Sequence, residues 1–406
     1  LNKNMRTTAS RTPKAPLAID HKERIHLFKA REGGYHHYRV PSCVVSPGGV
    51  AMVFTEARKN TRDGQSLQHA DYWDIDILMR RSSDGGRSWE ERRMVVDHGD
   101  FGPGPIHNFT PIADPGANNG RGCVHALFGH DYARLFAIRS DDDGLTWSGP
   151  REITDVVASI RDRFPWTAFA TGPGHAICKE CEPARGRLVV PVWMCATPKG
   201  QGDPHRPSDL TLLTSDDHGE TWQMGPTVLH HLQEADNGVS VGTPNETSAV
   251  ELPDGSILFN TRNESVPPRR VTTVSADGGA TWSQPRFEEG LFDPQCHGSI
   301  LGMPDLEAVG GQALLFVNPD AQTKEMPGNW GGSYDRRNLS ARISRDNGAT
   351  WQPHCVIEPG PSGYCDLMRL PDGSVWCVFE CGMIDTMTDT RNIAVQRVID
   401  STLDRP

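Results

Sequence analysis

Long apolar runs are missing from this chain of 406 residues. No stretch approaches the roughly 18 residues of a membrane-spanning helix, and no basic-then-apolar export signal opens the chain. Basic runs are missing too. The 41 Lys and Arg residues are scattered among 52 Asp and Glu, for a net charge of −11, so the sequence carries no electrostatic footprint for nucleic acid. Metal-type spacing is incomplete. Cys178/Cys181 and Cys377/Cys381 stand among ten cysteines without a second Cys-x-x-Cys or a suitably spaced His pair, so structural or disulfide roles are expected of them. The adjacent pairs His36-His37 and His230-His231 suit one shared metal poorly, because neighbouring strand residues point to opposite faces.

What the chain has is a phrase repeated five times, Ser-x-Asp-x-Gly-x-(Ser/Thr)-Trp, at Ser82–Trp89, Ser140–Trp147, Ser215–Trp222, Ser275–Trp282 and Ser344–Trp351. Asp can bond nearby amides and Gly accepts positive φ, which suits a tight turn; the closing Trp supplies an apolar anchor beneath it. Intervals of roughly 60–75 residues exceed a solenoid repeat and fit propeller blades carrying insertions. Before the fourth copy the pattern reads strand (246–252), turn Pro253-Asp254-Gly255, strand (256–262) and strand (270–274), a meander that recurs at 364–380 and 41–58. First strands begin near Pro41, Pro111, His175, Thr247, Gly298 and Tyr364. The sixth unit has no octapeptide; its third strand is expected at 393–399 and its outer strand from the amino-terminal stretch 24–28, which would close the ring. The expected fold is all-β: one six-bladed propeller of four-stranded antiparallel meanders over residues 24–406, with 1–23 as an extension.

Meander parity separates scaffold from chemistry. The octapeptides follow third strands and share one face, whereas first-strand starts, second-strand ends and third-strand starts share the other. On that second face lie Arg39, Arg58, Asp71, Glu246, Arg262, Arg336, Tyr364 and Glu380. An isolated Arg at a blade rim commonly serves as an inter-blade ion pair. Arginines from separate blades beside a Tyr, a Glu and an Asp point instead to an anion site with a nucleophile, a base and an acid, because guanidinium forks match a carboxylate as Lys cannot.

The motifs Tyr38-Arg39-Val40-Pro41, Phe54-Thr55-Glu56-Ala57-Arg58, the run 74–82, Asn245-Glu246, Arg336-Arg337-Asn338-Leu339 and Tyr364-Cys365-Asp366-Leu367 resemble, in order, those of exo-sialidases, whose Asp boxes the octapeptides match. The resemblance covers about 28–380. It implies that Arg39, Arg262 and Arg336 grip the carboxylate of a sialic acid, that Tyr364 is the nucleophile and Glu246 its base, and that Asp71 is the acid/base. Glu380 would position Arg39, and Arg58 would line the pocket near the sugar's 4-position. Asp63 remains an alternative to Asp71, and Arg337 to Arg336. A tyrosine nucleophile avoids the like-charge approach a carboxylate would suffer at the anomeric centre, and sialidases depart from the two-carboxylate pattern for that reason.

The expected activity is retaining hydrolysis of terminal sialic acids from sialylated glycans, with no cofactor and no metal. Action on a related nonulosonic acid, by hydrolysis or transfer, or non-catalytic sialic-acid binding, stays open. Substrate location implies secretion or the periplasm, without excluding the cytoplasm, and nothing speaks to oligomeric state. Candidates for the N-acyl pocket are Asn108, Phe109, His130, Asp131, Trp166, Phe169, the stretch 172–175 and Trp193; Trp73 is a candidate cover, and the rim loop 201–208 has no assigned role.

Overall fold

Apolar β-branched and aromatic runs such as AMVFTEARK, CVHALFGH and LVVPVWMC form strands that are buried on both faces, because each sheet is covered on either side by a neighbour. The computed structural model describes residues 24–59, 67–198, 201–203, 205–304, 306, 308, 311–327 and 333–399. The segment 1–23 and Asp63 lie outside the described residues. Among those described, no helix is long and apolar enough to cross a membrane.

In chain order, β1 (Ile25–Lys29) precedes a meander of β2 (His37–Val45), β3 (Ala51–Lys59), β4 (Asp74–Ser82) and β5 (Arg93–Val96). A second comprises β6 (Ile106–Asp114), β7 (Cys123–His130), β8 (Arg134–Ser140) and β9 (Arg151–Glu152). In the third, β10 (Ala168–Thr171) and β11 (Ile177–Cys178) both pair with β12 (Leu188–Cys195), followed by β13 (Ser208–Ser215) and β14 (Gln223–Met224). The fourth is β15 (Thr247–Glu251), β16 (Ile257–Thr261), β17 (Arg269–Ser275) and β18 (Arg286–Phe292). The rest is one seven-stranded sheet of β19 (Ser299–Met303), β20 (Ala313–Pro319), β21 (Arg337–Ser344), β22 (Gln352–Arg369), β23 (Val375–Met383), β24 (Thr390–Ile399) and β1.

Two features differ from the sequence expectation. Among the described residues the strands form five hydrogen-bonded sheets rather than six separate units, because β22 runs unbroken from its pairing with β21 to its pairing with β23. The third unit starts at Ala168 and not near His175: the chain leaves the sheet at Gly172–Gly174, where both glycines have positive φ, and a Cβ on Gly174 would crowd His297 and Asp366. The amino-terminal strand does pair with β24, Ile25 opposite Val395 and Lys29 opposite Asn392.

Core clusters bridge consecutive sheets, and one joins the two halves of the seven-stranded sheet, so that the set closes into a ring. Met52 and Phe54 pack with Val124 and Phe128; Leu127 with Val190; Val189 with Phe259; Leu258 with Phe316; Leu315 with Leu367; and Val378 returns to Cys43 and Val53. At the centre, buried Asp366 accepts hydrogen bonds from Cys43 N, His175 N and Nδ1, and Ser299 Oγ at 2.7–2.9 Å, tying three parts of the ring together. The octapeptides are turn fasteners. In each, the Ser Oγ donates to the Asp carboxylate at 2.8–2.9 Å and accepts the amide of the Gly at the fifth position, while the same carboxylate caps the amide two residues after that Gly.

Candidate active site

Strand ends around the ring deliver polar side chains into a cavity of about 640 Å³. Its lining includes Arg39, Arg58, Asp71, Glu246, Arg262, Arg336 and Tyr364, so seven of the eight residues singled out from sequence meet at one mouth. The eighth, Glu380, lies fully buried beneath it.

The floor is built around Tyr364. Its hydroxyl donates to Glu246 Oε1 and accepts from Arg262 Nη1 at 2.8 Å, and Arg262 also reaches Glu246 Oε2 at 2.5 Å. Burial, then the Glu246 carboxylate, push the phenol well above its ordinary pKa; Arg262 and Arg336 oppose this. Burial would raise Glu246, but Arg262 leads the partners that hold it below the usual carboxylate range. The resting pair is therefore a neutral phenol bonded to a carboxylate, with the proton's acceptor already in contact.

Two further guanidinium groups flank the ring, Arg39 at 5.2 Å and Arg336 at 5.3 Å from its centroid. Glu380 holds Arg39 by a two-pronged bond, Nε to Oε1 at 3.0 Å and Nη2 to Oε2 at 3.3 Å, and also accepts the amides of Val40 (2.9 Å) and Tyr364 (3.0 Å). This arrangement needs special backbone. Val40 sits at φ +50, where β2 slips register against β3, and Gly363 is required because a Cβ there would collide with the Glu380 carboxylate. Arg336 donates to Gln295 O at 3.0 Å, and its buried Nε, like that of Arg262, has no hydrogen-bond partner. Donors held in place without acceptors suit an incoming anion. Arg337 instead leaves the cavity for Thr323, Glu325 and Asp335.

At the opposite wall, Asp71 stands on a short 3-10 turn (Leu67–Tyr72) and accepts from Arg58 Nη1 at 2.6 Å. Its site opposes ionisation by desolvation, but Arg58, then Arg39 and His205, pull the carboxyl below its ordinary range. With 47% of the side chain open to water, that pull is tempered by screening.

Sequence reasoning left Glu56 unassigned. It alternates with Arg58 on β3, is buried, bonds Arg58 through Oε2 and accepts the Asn108 amide at 3.0 Å; its two-residue spacing from Arg58 was the available signal. Also unassigned was an aromatic wall. The His205 ring lies 4.4 Å from that of Tyr132, 5.3 Å from Trp193 and 5.8 Å from Tyr72, and Tyr72 Oη lies 3.2 Å from His205 Nε2. Trp193, already a pocket candidate, comes from β12, but Tyr72, Tyr132 and His205 come from turns and loops, so no periodicity announces them. Of the N-acyl candidates, Asn108 and Trp193 line the cavity, whereas Phe109, Trp166 and Phe169 belong to the inter-sheet core. His130, Asp131 and residues 172–175 are not among the lining residues. Trp73 is buried with its ring edge-on to His36 and His37 and covers nothing in the mouth.

His36 precedes β2, so the strand alternation assumed for His36-His37 does not yet apply, and the two Nδ1 atoms meet in a hydrogen bond of 2.8 Å. All ten cysteines are free thiols, and most are buried core residues.

Comparisons with known proteins place this geometry in context. The profile described as BNR repeat-like domain matches residues 122–377. A sialidase of Micromonospora viridifaciens is 29% identical over 379 residues, covering 86% of this chain and 50% of the relative. A Bacteroides fragilis sialidase is 26% identical, covering 89% of this chain and 63% of its own length. The chain thus spans half to under two thirds of these relatives. Among solved structures, the Hadza microbial sialidase Hz136 superposes with a TM-score of 0.68 at 23% identity, over 92% of this chain and 68% of the other, which is a likeness of fold.

Proposed function

The chain belongs to the BNR repeat-like domain family, and from that premise we propose that it is a retaining exo-α-sialidase whose nucleophile is Tyr364. The observation that carries the proposal is the contact of the Tyr364 hydroxyl with both Glu246 and Arg262, inside a mouth that also holds Arg39 and Arg336.

Arg39, Arg262 and Arg336 receive the substrate carboxylate. Glu380 holds Arg39 in place before substrate arrives, so little reorganisation remains for the reaction itself. Tyr364 Oη attacks the anomeric carbon as its proton passes to Glu246. The bond from that carbon to the aglycone oxygen breaks, and the oxygen takes a proton from Asp71. A water molecule, giving its proton to Asp71, then attacks the same carbon; Tyr364 leaves and recovers its proton from Glu246. Two displacements give net retention. Asp71 is ionised in the resting site, and a bound carboxylate offsets part of the cationic field of Arg39 and Arg58, which favours the protonated form that the first step needs.

The same reading takes the β22 crossing as the junction between a fifth and a sixth blade, making residues 24–406 one six-bladed propeller closed by β1. Glu56 and Arg58 face the sugar near its 4-position, Tyr132 and Trp193 border it elsewhere in the mouth, and sialylated glycans outside the cell imply secretion or periplasmic export. Release of a phenol from an aryl sialoside tests the proposal. The full chain should turn it over, and Tyr364→Phe should retain the fold and lose turnover; near-normal turnover by that variant would sink the mechanism.

A further inference from the structure

Packed against Trp73, with none of its residues lining the cavity, is a cluster that the catalytic proposal does not use. The Nδ1 atoms of His36 and His37 share a hydrogen bond of 2.8 Å, whose proton a bound cation would displace, and Asp389 Oδ1 lies 3.9 Å from the first and 3.7 Å from the second. A point equidistant from these three atoms is about 2.1 Å from each, the length of a Zn–N or Zn–O bond. Asp389 supplies the independent sign that something is meant to sit there. Its side chain is 0% exposed, yet both carboxylate oxygens lack a hydrogen-bond partner. The Asp385 amide contributes to its electrostatics without meeting hydrogen-bond geometry, and Arg31, half exposed, stays 3.9 Å away. A buried carboxylate without partners is costly, and coordination of a cation removes that cost.

We propose that His36, His37 and Asp389 form a divalent-metal site of zinc type, with two imidazole nitrogens and one carboxylate oxygen as protein ligands and the remaining coordination supplied by water through the 12%-exposed face of His36. Nitrogen donors favour zinc over the oxygen-seeking calcium and magnesium. The frame is formed in advance. Trp73 packs edge-on to both rings, and the turn carrying Asp389 is closed by its amide to Thr386 O and by the Ile384 amide to Asp389 O.

Bound metal would staple two elements of the mouth. His37 opens β2, two residues before Arg39, and Met387 and Thr388, just ahead of Asp389, line the cavity. The site therefore fixes the root of one carboxylate-binding arginine to the loop beside it. It stands independently of the catalytic assignment.

The test uses the full chain stripped with chelator, then titrated with Zn²⁺ and with Co²⁺. Expected are one tightly bound equivalent, a rise in Tm on adding Zn²⁺, and a Co²⁺ spectrum without a thiolate charge-transfer band. Asp389→Asn should equal or exceed the stripped wild type in Tm, since a buried charge is removed, and should lose the Zn²⁺-dependent rise; His36→Ala, at the more open ligand, should lose it too. Among the described residues two other clusters could compete, Asp114, Cys123 and His125, and Asp76, Asp97 and His98; in both the carboxylates already accept hydrogen bonds, whereas that of Asp389 does not. If the Zn²⁺ response vanished in Cys123→Ser but survived in Asp389→Asn, or if stripped wild type bound no equivalent, the proposal would be overturned.

Discussion

Glu380→Gln probes the device that holds Arg39 and Tyr364 together. Each Glu380 oxygen accepts two donors, Oε1 from Arg39 Nε and Val40 N, Oε2 from Arg39 Nη2 and Tyr364 N. A Gln amide offers one oxygen, so in either orientation its NH₂ faces two donors and two bonds are lost. The substitution also leaves the Arg39 charge without its buried partner. Breaking a buried pair from one side costs about 3–5 kcal/mol. With an unfolding entropy of ~2.1 cal/mol/K per residue, a chain of 406 residues should lose roughly 4–6 °C in Tm. Displacing Arg39 and the Tyr364 backbone should in addition lower kcat/KM on an aryl sialoside by on the order of 10²-fold. Scanning calorimetry and steady-state kinetics read both effects. Glu289→Gln, at a side chain 83% exposed, is the control and should change stability by less than about 0.5 kcal/mol. If Glu380→Gln matched that control in both Tm and kcat/KM, the four-bond anchor would not exist as described.

Arg262→Ala should raise KM and lower kcat together, because Arg262 touches Tyr364 and Glu246 as well as the space for the carboxylate; unchanged constants would remove it from the site. Asp71→Ala should slow the first step far more for a sialyl-lactose than for a nitrophenyl sialoside, whose leaving group needs no proton, with a difference of at least ~10²-fold; equal losses in single-turnover assays would argue against Asp71 as the acid. Asp366→Asn should destabilise the ring by about 3–5 kcal/mol near pH 5. Burial opposes ionisation of Asp366 but His175 lowers its pKa, so its contribution is complete above the ordinary Asp value near ~3.9 and fades as pH falls through the lower folded value. Burial opposes protonation of His175 but Asp366 raises its pKa, so that contribution is complete below about 6.5 and fades as pH rises through the raised value. Denaturant unfolding of the two proteins across pH should therefore diverge most between these limits; a constant gap at all pH values would contradict the pairing.

The all-β fold and the mouth were legible because five octapeptides set the strand phase, and phase alone brings Arg39, Glu246, Arg262 and Tyr364 to one edge across more than three hundred residues. Where order comes from strand alternation, sequence carries it. Where order comes from loops or from long-range packing, it does not. Apart from Trp193 on β12, the His205 wall comes from irregular segments; Trp73 packs edge-on to two histidines, and those histidines converge because one lies before the strand begins. The continuity of β22 runs against its local sequence: Pro359-Gly360-Pro361-Ser362-Gly363 reads as a turn, and only the pairing of Pro361 with β21 and of Ser362 with β23 reveals the join.

The central claim is that Tyr364 becomes covalently bound to the sugar. A sialosyl fluoride carrying a second fluorine next to the anomeric carbon slows both displacements while its good leaving group lets the first proceed, so the intermediate accumulates. Digestion of the full chain after exposure to this reagent, followed by mass spectrometry, should find one sugar-sized adduct on the peptide containing Tyr364 and none on the Tyr364→Phe variant. Turnover of an aryl sialoside with no adduct, or an adduct on Glu246 or Asp71, would contradict the account.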